Sequence, residues 1–211
     1  MASSAFASSS NYTLYFAPGA ASLAPKMLLK SMNKKIDFAQ VDLKSHTLSK
    51  DNSDYYKINK TGMVPALKLQ NGKILTETAV ILQYFADQDS SHKFLPSVNK
   101  EERYFVLEKL NFVATEIHKS IEGWFRTSDK EFFIAKMSKN LAILDSALEG
   151  KSFIANDKLS IADFYLTTAL FEIKHFAIND LTNFKNLEKY LDKMMNDKNV
   201  KEVLKSEGFA K

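Results

Sequence analysis

Four short stretches of this chain place residue types where they can hold and activate a polar, thiol-bearing ligand. In "FAPGAASLAPK", a strand end and a Pro18-Gly19 turn aim the start of a helix outward, with Ala20, Ala21 and Ser22 at its mouth. Free N–H groups there favour negative charge and lower the pKa of a nearby thiol from about 8.5, and Ser22 is the local hydroxyl able to help. Ser22 can equally be a plain N-cap, and the two roles are compatible. In "GMVPAL", Pro65 cannot donate to a sheet ladder, so it marks an edge or a turn and a candidate cis bond. The N–H and C=O of Val64 can then pair with an extended peptide-like ligand, or the segment is an ordinary bend into a strand. In "TETA", Glu77 and Thr78 open a helix. Its free N–H groups suit a ligand carboxylate and Glu77 suits an ammonium, unless the threonines simply cap it. Last, Asn111 and His118 lie seven residues apart on one helix line, with Lys119 beside them; a lone histidine on an apolar face is otherwise a satisfied core group.

These stretches need elements to position them. From residue 12 to 88 the periodicity alternates. "YTLYF" reads as a strand, "SLAPKMLLKSM" as a helix through Ala24, Leu28 and Met32, and Ala39, Val41 and Leu43 as a second strand. "ALKLQNGKILTE" reads as two strands about Asn71-Gly72, a pair suited to the two positive φ angles of a type I′ turn. "TAVILQYFADQ" reads as a second helix. The order β-α-β-β-β-α gives a mixed sheet of about four strands. Residues 89–98 form a polar linker with Pro96, and residues 99–211 are helical throughout. In the helix over residues 101–126 the inward line is Tyr104, Leu107, Asn111, Ala114, His118, Ile121 and Phe125. A helix over residues 131–148 buries Phe133, Met137, Leu141, Leu144 and Leu148 and stops near Gly150. "SIADFYLTTALFEI" starts a third with a Ser160/Asp163 capping box. Amphipathic segments follow at 187–195 and 200–205.

Composition excludes several classes. The chain has no cysteine, so disulfides, thiolate metal sites and an enzyme-borne cysteine nucleophile are out, and any thiol must arrive with a ligand. The formal charge of +4 is almost wholly lysine, scattered among acids, with Arg103 and Arg126 the only arginines. That is a solvated surface, without the clustered Arg, Lys and aromatics of a nucleic-acid binder. No run approaches the ~18 apolar residues of a membrane span. His46, His92 and His175 show no metal-ligand spacing, and no metal is expected. Residues 1–11, "MASSAFASSSN", lack the basic start and apolar run of a secretory signal and are expected to be a disordered leader; a cytoplasmic location fits.

Taken in order, "APGAASLAPK", "GMVPALKLQNGKILTETAVILQYFAD", "LNFVATEIHKS" and "SIADFYL" resemble the cytosolic glutathione transferase superfamily, within it most closely the bacterial beta class. The resemblance implies a thioredoxin-like first domain followed by an all-helical domain, a homodimer, and conjugation of the glutathione thiolate to small hydrophobic electrophiles. It implies that glutathione, as co-substrate, meets Val64 before a cis Pro65, that its γ-glutamyl end meets Glu77 and Thr78, and that its glycyl carboxylate meets a basic residue at His46. It places His118 and Lys119 near the thiol, with Asn111 as a further contact across the dimer. The chain departs from the beta class at Ala21, where a cysteine normally stands, so thiol transfer through an enzyme thiol is excluded. Stabilising the thiolate then falls to Ser22, or its backbone N–H, and to His118. The alternatives are a weakly catalytic glutathione-binding or interaction protein on the same fold, or another glutathione-dependent enzyme such as an isomerase or peroxidase.

Overall fold

The structure is a computed structural model that describes residues 12–176 and 178–209; the expected leader, residues 1–11, lies outside the described residues. The first half comprises β1 (Thr13–Phe16), α1 (Leu23–Ser31), β2 (Asp37–Asp42), β3 (Thr47–Leu48), a 3-10 turn (Tyr55–Lys57), β4 (Ala66–Lys68), β5 (Ile74–Leu75) and α2 (Thr78–Ala86). The strands form one mixed sheet in the order β3-β2-β1-β4-β5, with β1 parallel to β2 and antiparallel to β4. All the elements of the expected β-α-β-β-β-α order are present, with one further strand, β3, inserted after β2, so the sheet has five strands where about four were expected. The extra strand is two residues long, too short to show a period, and exists through the pairs Val41↔Leu48 and Asp42↔Thr47.

Alternation along β1 sends neighbours to opposite faces. Leu14 enters the main core, whereas Tyr15 packs with Val41, Tyr55, Val64 and Ala66 on the other face. Helix α1 is buried from Leu23 to Leu29, so no polar stripe is available to it and it must be covered by other helices. The turn after β4 differs from the expected one: only Gly72 has positive φ (80°), and Gly72 N–H closes on Leu69 C=O at 2.9 Å. A turn with one positive φ needs only one glycine, and Asn71 keeps ordinary backbone while its side chain accepts from Lys73 N–H at 3.0 Å.

The second half is helical: α3 (Glu102–Phe112), a π-helical segment (Val113–His118), α4 (Lys119–Arg126), α5 (Lys130–Ala147), α6 (Ile161–His175), α7 (Lys185–Met195) and α8 (Lys198–Ser206). The long helix runs through α3 to α4, but its buried line is Val106, Leu110, Val113, Ile117 and Ile121. Of the line expected to face inward, Tyr104 and Phe125 are 63% and 52% exposed, and Asn111 is exposed. Both lines have helical spacing; what separates them is which face α6 covers, and the π segment shifts the register between the two ends. Such widened turns recur at functional sites, and this one ends at His118. On α5, Met137, Leu141, Leu144 and Leu148 are buried as expected, while Phe133 is half-buried against Gly123 of α4, where a Cβ would come within 2.2 Å of its ring.

Helix α6 is the axis of the molecule. It is buried from Ile161 to Ile173 and packs against α1 and α2 on one side and α3, the π segment and α7 on the other. One apolar core therefore runs through both halves. At the joint between them, buried Arg103 donates two bonds to Asp87, at 2.8 and 3.0 Å, and one to Pro96 C=O. The start of α6 is fixed by the expected box. Asp163, fully buried, accepts from Ser160 N–H at 2.8 Å and Ser160 Oγ–H at 2.7 Å. It also accepts from Ile154 N–H and the Tyr190 hydroxyl, both at 2.9 Å. Burial pushes its carboxyl pKa up, against the opposing pull of these donors.

Removing a buried acceptor leaves its donors unsatisfied at roughly 1–3 kcal/mol each. Asp163→Ala is therefore expected to lose more than about 3 kcal/mol of unfolding free energy in denaturant titration, and Asp163→Asn, which keeps one acceptor oxygen, distinctly less. Equal stability of Asp163→Ala and the parent chain would show that the box does not set the helix.

Candidate active site

Between the sheet and α4–α6 lies a cleft with two lobes, of about 730 and 520 Å³, that share Met63, Val64, His118, Glu122 and Arg126 in their walls. The larger is lined by Ala20 and Ala21 at the mouth of α1, His46, Phe125, Glu172 and Phe176. The smaller is lined by Pro65, Glu77, Thr78, Asn111 and Lys119. Every candidate from the sequence except Ser22 thus borders one cleft, although together they span residues 21–119.

The backbone of the cleft wall carries open hydrogen-bonding groups. The Val64-Pro65 peptide is cis, and neither N–H nor C=O of Val64 is bonded among the described residues. The preceding carbonyl, that of Met63, is held by two donors, the Tyr55 hydroxyl at 2.9 Å and Asn59 Nδ2 at 2.8 Å. Burial pushes the Tyr55 phenol up to about 12, so it stays a donor across the physiological range. Glu77 is the N-cap of α2 at φ 68° and ψ 118°, and makes no side-chain cap bond. A glutamate with positive φ is uncommon and marks a position whose geometry is imposed. Neither Thr76 nor Thr78 caps the helix. The N–H groups of Thr78 and Ala79 therefore have no acceptor among the described residues. The mouth of α1 is similar: the N–H groups of Ala21 and Ser22 have none either.

Ser22 departs from expectation. Its hydroxyl is fully buried behind the cleft wall, donating to Ala17 C=O at 3.1 Å and accepting from Ala17 N–H at 3.2 Å. It neither caps α1 nor points at a ligand, because the turn leaves the N–H of Ala17 for it to satisfy, and it shares the Ala17 C=O with Ala20 N–H, which donates to it at 3.2 Å. Ser22 holds the turn, and what the mouth offers a thiol is backbone N–H. His46, at φ 53°, stacks on Tyr56 and lies 3.2 Å from Gly62 C=O through Nδ1; Gly62, at φ 69°, leaves no room for a Cβ beside it.

His118 sits where the lobes meet. Its Nε2 is 3.4 Å from Glu172 Oε2, an ion-pair distance without hydrogen-bond alignment, so Oε2 has no hydrogen-bond partner among the described residues. Its ring also packs on Tyr165 at 5.5 Å. Burial pulls the imidazole pKa down, but the charge and contact of Glu172, with Glu122 behind, outweigh it and hold the value above the ordinary one. Burial drives Tyr165 well up, opposed by a hydrogen bond from Thr78. Lys119 Nζ and Arg126 Nη2 both pair with Glu122, at 2.8 and 3.0 Å. Burial raises the Glu122 carboxyl, and the neighbouring cations bring it below its usual value.

Sequence reasoning missed Glu122, Arg126 and Glu172. Glu122 was readable as a helix neighbour of Lys119 and His118 at spacings of three and four, and Arg126 as the neighbour of Glu122 four residues further on. Glu172 carries a signal too, as a lone carboxylate inside the apolar run "FYLTTALFEI". A further pair had no local signal: Lys26 on α1 meets Glu207 just beyond α8 at 2.6 Å, both buried, and Glu207 also accepts from Gly19 N–H at 2.9 Å. This fastens the turn that aims α1 into the cleft. Among the described residues no group of three or more His, Asp or Glu is placed to hold a metal ion, and no helix is long and apolar enough to cross a membrane.

A thioredoxin-like sheet with an open backbone edge thus faces a helical domain that supplies an imidazole. Comparison with known proteins identifies this pair of domains. Family models for the glutathione S-transferase N-terminal and C-terminal domains match residues 10–87 and 115–207. Glutathione S-transferase GstA of Escherichia coli O157:H7 is 34% identical over 200 residues, covering 93% of this chain and 98% of that protein. The structure of a sphingomonad glutathione S-transferase complexed with glutathione is 33% identical with a TM-score of 0.86, covering 94% of this chain and all of that one. A bacterial beta-class enzyme from Sphingomonas chungbukensis matches at 33% identity and a TM-score of 0.87, with the same coverage. The chain belongs to the glutathione S-transferase family.

Glu207→Ala is expected to cost about 3–5 kcal/mol in denaturant unfolding, because it strands the buried Lys26 ammonium. The double substitution Lys26→Met, Glu207→Ala should recover most of that loss, since an apolar replacement of a buried pair is close to neutral. A double variant no better than the single one would contradict the stranded-charge account.

Proposed function

We propose that the protein conjugates the glutathione thiolate to small hydrophobic electrophiles, without an enzyme thiol. The observation that carries this reading is the open backbone of the cleft: unpaired groups of Val64, uncapped N–H groups at Thr78 and Ala79, and further free N–H groups at Ala21 and Ser22. A tripeptide laid along that edge would pair its cysteinyl backbone with Val64, place its γ-glutamyl ammonium at Glu77 and its carboxylate on the α2 mouth, and bring its glycyl carboxylate to His46. Its sulfur would then face the mouth of α1 and His118. Lys119 and Asn111 would close the smaller lobe, with Asn111 exposed for contact across a dimer.

Conjugation requires only a held thiolate next to an electrophile. The N–H of Ala21 or Ser22 and the imidazole would stabilise the charge on sulfur, and Phe125, Phe176, Ile121 and Leu43 would give the electrophile an apolar wall. Ala21 leaves no thiol to form a mixed disulfide, so the chemistry ends at the thioether. We further infer a cytoplasmic homodimer; the large exposed side chains Val80 on α2 and Tyr104 and Phe105 on α3 support a partner surface there, and sedimentation at micromolar concentration tests it.

The deciding measurement is a pH titration of thiolate ultraviolet absorbance for glutathione bound to this protein, whose lack of cysteine removes the background. A bound thiol pKa well below about 8.5 is expected; binding without a shift would leave a holder rather than a catalyst. His118→Ala should lower turnover by the equivalent of ~1–3 kcal/mol while glutathione affinity changes little. Glu77→Ala should abolish binding, and unaltered affinity would refute the ammonium contact.

A further inference from the structure

Of the two carboxylates on α6, Asp163 is satisfied by its donors at the buried end, whereas Glu172 faces the cleft with 4% of its surface exposed and Oε2 unbonded. No lysine or arginine is within ion-pair distance of it among the described residues. Of the cations in the cleft wall, Lys119 and Arg126 are both taken by Glu122. Lys44 and His46 line the same lobe and have no ion pair with it among the described residues, and Tyr165 contributes only a neutral phenol. Among the described residues the sole ion-pair partner of Glu172 is His118, 3.4 Å away, which is a counter-charge when protonated.

We propose that Glu172 is a positioning residue for the transferase reaction: by holding the proton on His118, it makes the imidazole a fixed positive charge beside the thiolate and not the base that removes the thiol proton. This rests on the reading of the cleft as a glutathione site. The physical ground is the cost of a lone buried carboxylate, which is large unless it is paired. Taking the proton from His118 would leave Glu172 in that state. With His118 protonated, four cations in the cleft wall (Lys44, His118, Lys119 and Arg126) face three carboxylates (Glu77, Glu122 and Glu172), and the surplus charge is there for sulfur. With His118 neutral the charges cancel. The thiol proton must then pass to solvent as the S–H bond breaks, its electron pair staying on sulfur while the ring keeps its own proton.

The ring pKa, held above its ordinary value by Glu172 and Glu122 against burial, agrees in direction. For a histidine raised on folding, the pair's contribution to stability is complete below the unfolded value of about 6.5 and is lost as pH rises through the folded one.

The test is a side-chain NMR titration of the four histidines in the ligand-free protein, with His118 identified by its missing signal in His118→Gln. In the parent chain His118 is expected to titrate above about 6.5, and in Glu172→Gln at least about one unit lower. Glu122→Gln, whose charge is already matched by two cations, should shift it less. Turnover of Glu172→Gln should fall at neutral pH with glutathione affinity unchanged, and recover toward the parent value as pH is lowered through the titration of its own ring. A parent ring that titrates below about 6.5, a ring indifferent to Glu172→Gln, or a turnover loss constant with pH would each overturn the proposal. Should Glu172→Gln fail to fold, the parent titration decides alone. Because the NMR reading needs no ligand, failure of glutathione to bind would refute the function and leave the proton pairing separately judged.

Discussion

Asp163 is a carboxylate without access to water, and it ends up bonded to the backbone of Ile154 and Ser160, to the hydroxyl of Ser160 and to that of Tyr190. That set fixes where α6 begins and in what rotation. Rotation matters because α6 is buried all round and touches both halves of the molecule, so a turn of the helix would misplace every contact it makes. The same setting determines that Glu172, nine residues and two and a half turns further on, faces the cleft and not the core. An energetic requirement at one end of a helix thereby becomes a chemical property at the other.

The cleft follows a similar logic of displaced obligations. Ser22 accepts from the N–H of Ala17 and joins Ala20 N–H in donating to its C=O, and the N–H groups of Ala21 and Ser22 at the α1 mouth are left over. The Met63 carbonyl takes two donors from Tyr55 and Asn59, and the backbone of Val64 is left over. Helix α2 begins at a glutamate with no cap, and its first N–H groups are left over. The wall is reactive because neighbouring groups have been satisfied elsewhere. Nothing about the residue types at those positions, which are alanine, valine and threonine, would suggest it taken singly.

How much of this was legible in the sequence depended on the distance over which each feature is decided. The β-α-β-β-β-α order, the Val64-Pro65 break, the Ser160/Asp163 box and the buried face of α5 are set within a few residues, and periodicity or a single residue type reveals them. The inward face of the long helix was misassigned. Two stripes of similar spacing compete there, and only packing against α6 chooses between them. The role of Ser22 was misread because a serine before a helix caps it by default, whereas here a tight turn makes a stronger demand. Glu172 opposite His118, 54 positions earlier, is the product of the tertiary fold, as is the meeting of Lys26 with Glu207.

That last contact bears on how the molecule is made. The Lys26 ammonium and the Gly19 N–H belong to the first turn and first helix of the chain, yet their common acceptor arrives 181 and 188 residues later. During synthesis, the sheet can form and α1 can coil while most of the helical half is still being translated. The turn at the mouth of α1 cannot be locked until α8 has cleared the ribosome and docked. The geometry of the α1 mouth is thus withheld from the nascent chain until that docking has taken place.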